Sequence, residues 1–248
     1  MLPIRDNVPS RTPPLAMWSI MGLTIVVFVL QLRLSDQQLA RVVYLLGVVP
    51  RRYTQPGWAA HVGFPGIGLA SFLTMTFLHG GWLHIISNLW TLWIFGDNVE
   101  DRMGPARFLL FYLTCGVIAG IAHVVTNPGS TVPAIGASGA IAGVLGAYFF
   151  LYPRARIICL IPIFFLPFFI EIPAFFFLLL WFFSQFFSGT LCLLTAQECG
   201  GIAWWAHVGG FLAGVFLHRL FLIRQPARRP FFMDEYGVEG AWPWAGYR

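Results

Sequence analysis

Long uncharged runs dominate the sequence and leave it few possible folds. The stretches 15–32, 69–96, 108–125, 138–152, 157–187 and 202–223 contain between them only Glu171 and Arg219 as formal charges. A bilayer-spanning helix needs about 20 predominantly apolar residues, so each run is long enough, or nearly so, to cross a membrane. Charged residues make up 10% of the chain and the mean hydropathy is +0.74, where soluble domains carry roughly 25% charge. The expected fold is therefore all-α: a polytopic membrane bundle of six transmembrane helices, with no separate soluble domain.

The segments between the runs set the organisation. Residues 1–14 are a short, polar, proline-bearing arm, and residues 15–32 lack a small-residue cleavage site, so they read as an uncleaved anchor. The membrane domain covers 15–223. Its long first loop, 33–68, has room for short interfacial helices, since loops of that length seldom lack structure or function. Gly80-Gly81 breaks the second run, which places the helix proper at 82–96. Asp97, Glu100, Asp101, Arg102 and Arg107 then crowd a short loop, where a cap network of these charges is expected. The run 157–187 is too long for one helix and carries Pro162, Pro167, Glu171 and Pro173. It divides into a hydrophobic lead-in segment, 157–170, and a fifth span, 173–187, with Glu171 within reach of an arginine. A tail, 224–248, is expected to be solvated.

All fifteen basic residues are arginine, and the net charge is +5. Their placement follows membrane topology, not nucleic acid. Arginines occupy the N-terminal arm, the second-to-third and fourth-to-fifth connections and the tail, while the loops after the third and fifth spans have none. The long first loop breaks the pattern with Arg33, Arg41, Arg51 and Arg52, but long loops count little in the positive-inside rule, which places both termini in the cytoplasm. Of the four cysteines, Cys192 and Cys199 share a loop and are able to pair if it faces an oxidising side. No disulfide framework is expected in so apolar a chain.

Residues 134–147, AIGASGAIAGVLGA, hold Ser138 between Gly136 and Gly139, with Gly143 and Gly146 following at helical spacing. Small residues on one helical face admit a second helix at close range. Taken alone, Ser138 is better explained as a helix cap than as a functional group. Polar groups inside spans are costly and mark function, which draws attention to His79, His84, His123 and His207. His84 and Asn88 lie one turn apart on one face. His207 opens the sixth span, where Gly210 and Gly214 form a second small-residue stripe. With both termini inside, the second, fourth and sixth spans all begin on the outer side. His84, Ser138 and His207 then sit at similar depth, and the two glycine stripes bring Ser138 toward His207. A serine beside a histidine is an activated nucleophile for acyl transfer. His84, Asn88 and the Ser138 backbone N–H are the candidate donors to an oxyanion.

These motifs, GASG at 136–139, HxxxN at 84–88 and AHxxG at 206–210, resemble those of the rhomboid family of intramembrane serine proteases, in order and over nearly the whole chain. The resemblance implies Ser138 as nucleophile and His207 as general base, a dyad with no carboxylate and no cofactor. It implies single-span membrane proteins as substrates, cut in or near the bilayer, and a multi-pass location, here a prokaryotic inner membrane. His79 with His84 is similar to the family's paired histidines; bracing the first loop and contacting the oxyanion are both open to His79. Two departures stand out: the first loop lacks the Trp-Arg pair of some members, and Trp205 stands where others carry glycine.

Other readings have specific obstacles. His84 and Asn88 as interhelical glue leaves Ser138 and His207 unexplained, and His123 has no motif partner. A metalloprotease built on His79, His84 and His207 lacks HExxH and an intramembrane carboxylate. A transporter lacks the two-half repeat common in that class. An inactive relative normally lacks the serine or the histidine, and this chain retains both.

Overall fold

A computed structural model of the chain describes residues 2–65, 68–163, 166–195 and 202–223. Helix α1, Leu15–Gln31, follows the N-terminal arm. Three short helices fill the first loop: α2 (Asp36–Leu46), α3 (Pro50–Thr54) and α4 (Pro56–His61). Helix α2 starts at a capping box, in which the Ser35 side chain takes the Gln38 N–H and the Gln38 side chain takes the Ser35 N–H; this satisfies two donors left over at a helix start. Prolines open α3 and α4 at positions where a missing N–H costs nothing. After α5 (Ser71–Thr74) and a 3-10 turn, the main helices follow: α6 (Trp82–Met103), α7 (Pro105–Thr126), α8 (Ser138–Leu151), α9 (Ala174–Thr195) and α10 (Trp204–Phe221).

Helix α8 is the axis of the bundle. Every residue from Gly139 to Tyr148 is buried, as expected for a helix apolar on all sides. Its glycines make the packing possible. A Cβ at Gly210 would lie 2.0 Å from the Gly139 carbonyl oxygen, and one at Gly214 1.9 Å from that of Gly143. On the α7 side, a Cβ at Gly143 would lie 2.4 Å from Cys115 Cβ. Backbone thus meets backbone along the α8–α10 seam. By length and composition, α7 and α9 are the two described helices that suffice to cross a membrane; α1 and α8 are apolar but shorter.

The all-α expectation needs correction. Residues assigned to a hydrophobic lead-in form a hairpin, β2 (Arg156–Ile163) and β3 (Leu166–Pro173), and the N-terminal arm adds β1 (Leu2–Asp6) in the antiparallel order β1-β2-β3. The chemistry favours this. Isoleucine and phenylalanine suit an extended chain, and prolines are barred from helix interiors. Pro162 and Pro167 face one another near the hairpin end, and Pro173 closes β3. Glu171 pairs with Arg156 at 3.3 Å, both more than half exposed, which is worth little.

The acidic cluster is also placed differently. Helix α6 continues through Asp97–Arg102 to Gly104, whose φ of +73° makes the turn into α7. Glu100 and Asp101 hold the start of the chain. Glu100 accepts the Ala16 and Met17 N–H groups at 2.9 and 2.8 Å, capping α1 where Pro14 offers no side-chain cap. Asp101 accepts from Arg11 N–H, Thr12 N–H and the Thr12 hydroxyl. Asp6 accepts from Asn98 Nδ2 and the Tyr148 hydroxyl. Arg107 donates to the Leu222 carbonyl at 2.8 Å. The tail 224–248 and Cys199 lie outside the described residues; Cys192 is disulfide-bonded.

Candidate active site

Ser138 is the first residue of α8, so its backbone N–H is among the first-turn donors without an intrahelical partner. Gly136, two residues earlier, has φ +122°, a conformation that side chains rarely adopt. A Cβ there would also strike His84 Nε2 at 2.6 Å. Glycine at 136 therefore meets two demands, the turn into α8 and room for the histidine. Gly139, on the other side, lies against Ala119 of α7.

His207, in the first turn of α10, reaches Ser138 across the glycine seam: His207 Nε2 lies 2.8 Å from Ser138 Oγ. Its other nitrogen, Nδ1, lies 2.8 Å from Gln185 Oε1 on α9. The rings of Trp181 and Trp204 flank the imidazole at centroid distances of 6.1 and 6.3 Å.

On α6, Asn88 is buried and its Nδ2 sits 3.0 Å from His79 Nε2. His79 is buried just before α6. Its Nδ1 lies 3.3 Å from the Phe77 carbonyl, and its backbone N–H and C=O pair with the Gln31 side-chain amide. A carbonyl only accepts, so His79 carries its hydrogen on Nδ1 and receives the Asn88 amide at Nε2. His79 thus grips Asn88 and the chain before α6. The Gly80 N–H donates to His84 Nδ1 at 3.4 Å, which leaves the His84 hydrogen on Nε2, facing Gly136.

These groups surround one cavity of about 440 Å³, lined by His84, Asn88, Ser138, Trp181, Gln185 and His207 among others. It lies between α6, α8, α9 and α10. A half-buried hydroxyl shares a hydrogen bond with an imidazole, and donors stand on the far wall. That set can perform acyl transfer. His123 is elsewhere, hydrogen-bonded near Asn127 at the end of α7. Trp205, the departure noted above, points to α9: its indole packs against Phe186 and lies close to Gly189, which has no side chain to obstruct it. Gln185 was not identified from sequence. The signal was there, since it is the one amide side chain in the helix Ala174–Thr195, but no motif contains it.

Among known proteins, the model of the rhomboid domain matches residues 67–224. The chain is 40% identical over 79 residues to the putative rhomboid protease YdcA of Bacillus subtilis, a match covering 32% of this chain and 39% of that protein. It is 44% identical over 79 residues to rhomboid protease GluP of the same organism, covering 32% and 15%. To the human mitochondrial presenilin-associated rhomboid-like protein it is 30% identical over 154 residues, covering 58% of this chain and 36% of the other. The matched stretches span well under half the length of each of these relatives.

Proposed function

The chain belongs to the rhomboid family of membrane-integral proteins, and from that premise we propose that it is a serine endopeptidase that cleaves single-span membrane proteins in or near the bilayer through a Ser138–His207 dyad. The observation that carries the proposal is the 2.8 Å contact between Ser138 Oγ and His207 Nε2 on the wall of a cavity. The names of the matched relatives, which include rhomboid proteases, support the same reading.

In the reaction, His207 Nε2 takes the Ser138 proton as Oγ attacks the scissile carbonyl carbon. The negative charge on the carbonyl oxygen is met by the Ser138 N–H, His84 Nε2–H and the Asn88 amide, a preorganised set of donors that strengthens as charge develops. His79 keeps Asn88 in place. The imidazolium returns its proton to the departing amine. Water then enters the cavity and gives a proton to His207 as its oxygen attacks the ester carbon, and His207 returns that proton to Ser138 Oγ as the acyl–oxygen bond breaks and the acid product leaves. Gly136 leaves room for His84, Gly139 and Gly143 admit α7 at Ala119 and Cys115, and Gly210 and Gly214 let α10 close on α8.

The membrane arrangement belongs to the same proposal. Helices α1, α6, α7, α8, α9 and α10 make six crossings within 15–223, with the arm 1–14 and the tail 224–248 in the cytoplasm of a prokaryotic cell. The arginine distribution supports that orientation. The test is hydrolysis of single-span substrates reconstituted with the purified protein, with product masses measured. Cleavage by wild type and none by Ser138→Ala or His207→Ala is expected. Undiminished cleavage by either variant overturns the dyad.

A further inference from the structure

We propose that Gln185 is a positioning residue for this reaction: its side-chain oxygen holds His207 in the tautomer whose Nε2 can accept the Ser138 proton. The inference rests on the serine-protease reading and extends it to a third side chain, from a helix that carries no motif.

The direction of the hydrogen-bond chain follows from one group that has no choice. The Trp181 carbonyl can only accept, and Ser184 Oγ stands 2.6 Å from it, so the Ser184 hydroxyl donates there. Ser184 has then spent its hydrogen and can only accept from Gln185. The Gln185 atom 2.9 Å from Ser184 Oγ is therefore the amide nitrogen Nε2. This leaves Oε1 facing His207 Nδ1 at 2.8 Å. An amide oxygen is an acceptor only, so Nδ1 carries the imidazole hydrogen, and Nε2 presents a lone pair to the Ser138 hydroxyl. With the amide reversed, the hydrogen would sit on Nε2 and the serine would have no base. A backbone carbonyl one turn back on α9 thus sets the protonation pattern of a base on α10.

Two further features fit. Gln185 is 8% exposed although α9 as a whole is lightly covered, with Leu180, Phe183, Phe187 and Leu191 turned outward. And no carboxylate occurs among the described residues lining the cavity. A neutral acceptor thus fixes the ring, and a carboxylate at the same place would fix it too, its charge offset by the imidazolium formed in the reaction.

The test compares Gln185→Met, of similar length without an acceptor, with Gln185→Glu, an acceptor in either orientation. One net hydrogen bond between neutral groups is the interaction removed, so kcat in Gln185→Met falls about three- to tenfold with KM unchanged. Gln185→Glu restores kcat. Ser184→Ala, which alters an exposed hydroxyl, lowers kcat in the wild-type background and has no effect in Gln185→Glu. Nitrogen-15 spectra of the His207 ring show the Nδ1–H tautomer in wild type and a mixture in Gln185→Met. Native kcat in Gln185→Met, equal losses in Met and Glu variants, or an Nε2–H tautomer in wild type overturns the inference. Absence of any Ser138-dependent hydrolysis by wild type instead defeats the protease reading, and the nitrogen spectra still decide the tautomer.

Discussion

Gly210→Ala puts the glycine seam to the sharpest test. An added Cβ would stand 2.0 Å from the Gly139 carbonyl oxygen, with that group's carbon at 3.0 Å. Ordinary van der Waals contact begins near 3.4 Å, so α10 must move away from α8 by about 1.4 Å or tilt by an equivalent amount. The obstacle is backbone on both sides, and no rotamer change relieves it. Gly210 lies one turn from His207, and Gly139 adjoins Ser138, so the displacement opens the 2.8 Å contact between the two side chains. A misplacement near 1 Å in a reacting pair costs on the order of 10²-fold in rate. Overpacking should also cost about 1–3 kcal/mol of stability. The assay is kcat for a single-span substrate beside a thermal melt, with Gly22→Ala as control. Gly22 sits in α1 with nothing within 4 Å of a new Cβ, so alanine there should leave kcat unchanged and stabilise by about 1 kcal/mol or less. A Gly210→Ala protein with native kcat refutes the reasoning, because the seam would then have slack that the geometry denies.

Asn88→Ala should lower kcat on the order of 10²-fold, the usual cost of one oxyanion donor, with a much smaller change in KM; steady-state kinetics separate the two. Glu100→Gln should lower stability by about 1–2 kcal/mol, since one N–H at the start of α1 loses its acceptor and meets a donor instead; for a chain of this size that is roughly a 2–8 °C fall in Tm, with kcat retained. Asp6 supplies a pH dependence. Burial pushes its carboxyl up to about 6 from 3.8, partly offset by the Tyr148 hydrogen bond. The folded state thus holds a proton that the unfolded chain releases above about pH 4, so stability falls as pH rises from about 4 through 6 and then levels off. Asp6→Asn should flatten that slope in melts taken across this range.

Much of the bundle is readable in one dimension because lipid-facing and buried helices share a simple signal. The uncharged runs 15–32 and 138–152 reappear as Leu15–Gln31 and Ser138–Leu151. The second run misled at its C-terminal end: hydropathy stops at Gly96, yet nothing there breaks a helix, and α6 runs on to Met103. The hairpin Arg156–Pro173 was hidden because a short apolar run does not declare its period. The partners of Glu100 and Asp101 lie more than eighty residues away, a distance that no local pattern spans. At the site, the meeting of Ser138 and His207 was legible in the two glycine stripes and the parallel direction of their helices. What those residues do remains the proposal made above. Gln185 stands out as the one amide of its helix, but it belongs to no motif and carries no spacing that assigns it a role.

The central claim is that the Ser138 hydroxyl is made nucleophilic by His207. Reaction with a fluorophosphonate, followed by mapping of the modified peptide, tests it most directly. The account predicts a single phosphonylated residue, Ser138, and loss of that adduct in His207→Ala with the fold intact by thermal melt. Modification of a different serine, or undiminished labelling of Ser138 in His207→Ala, would contradict it.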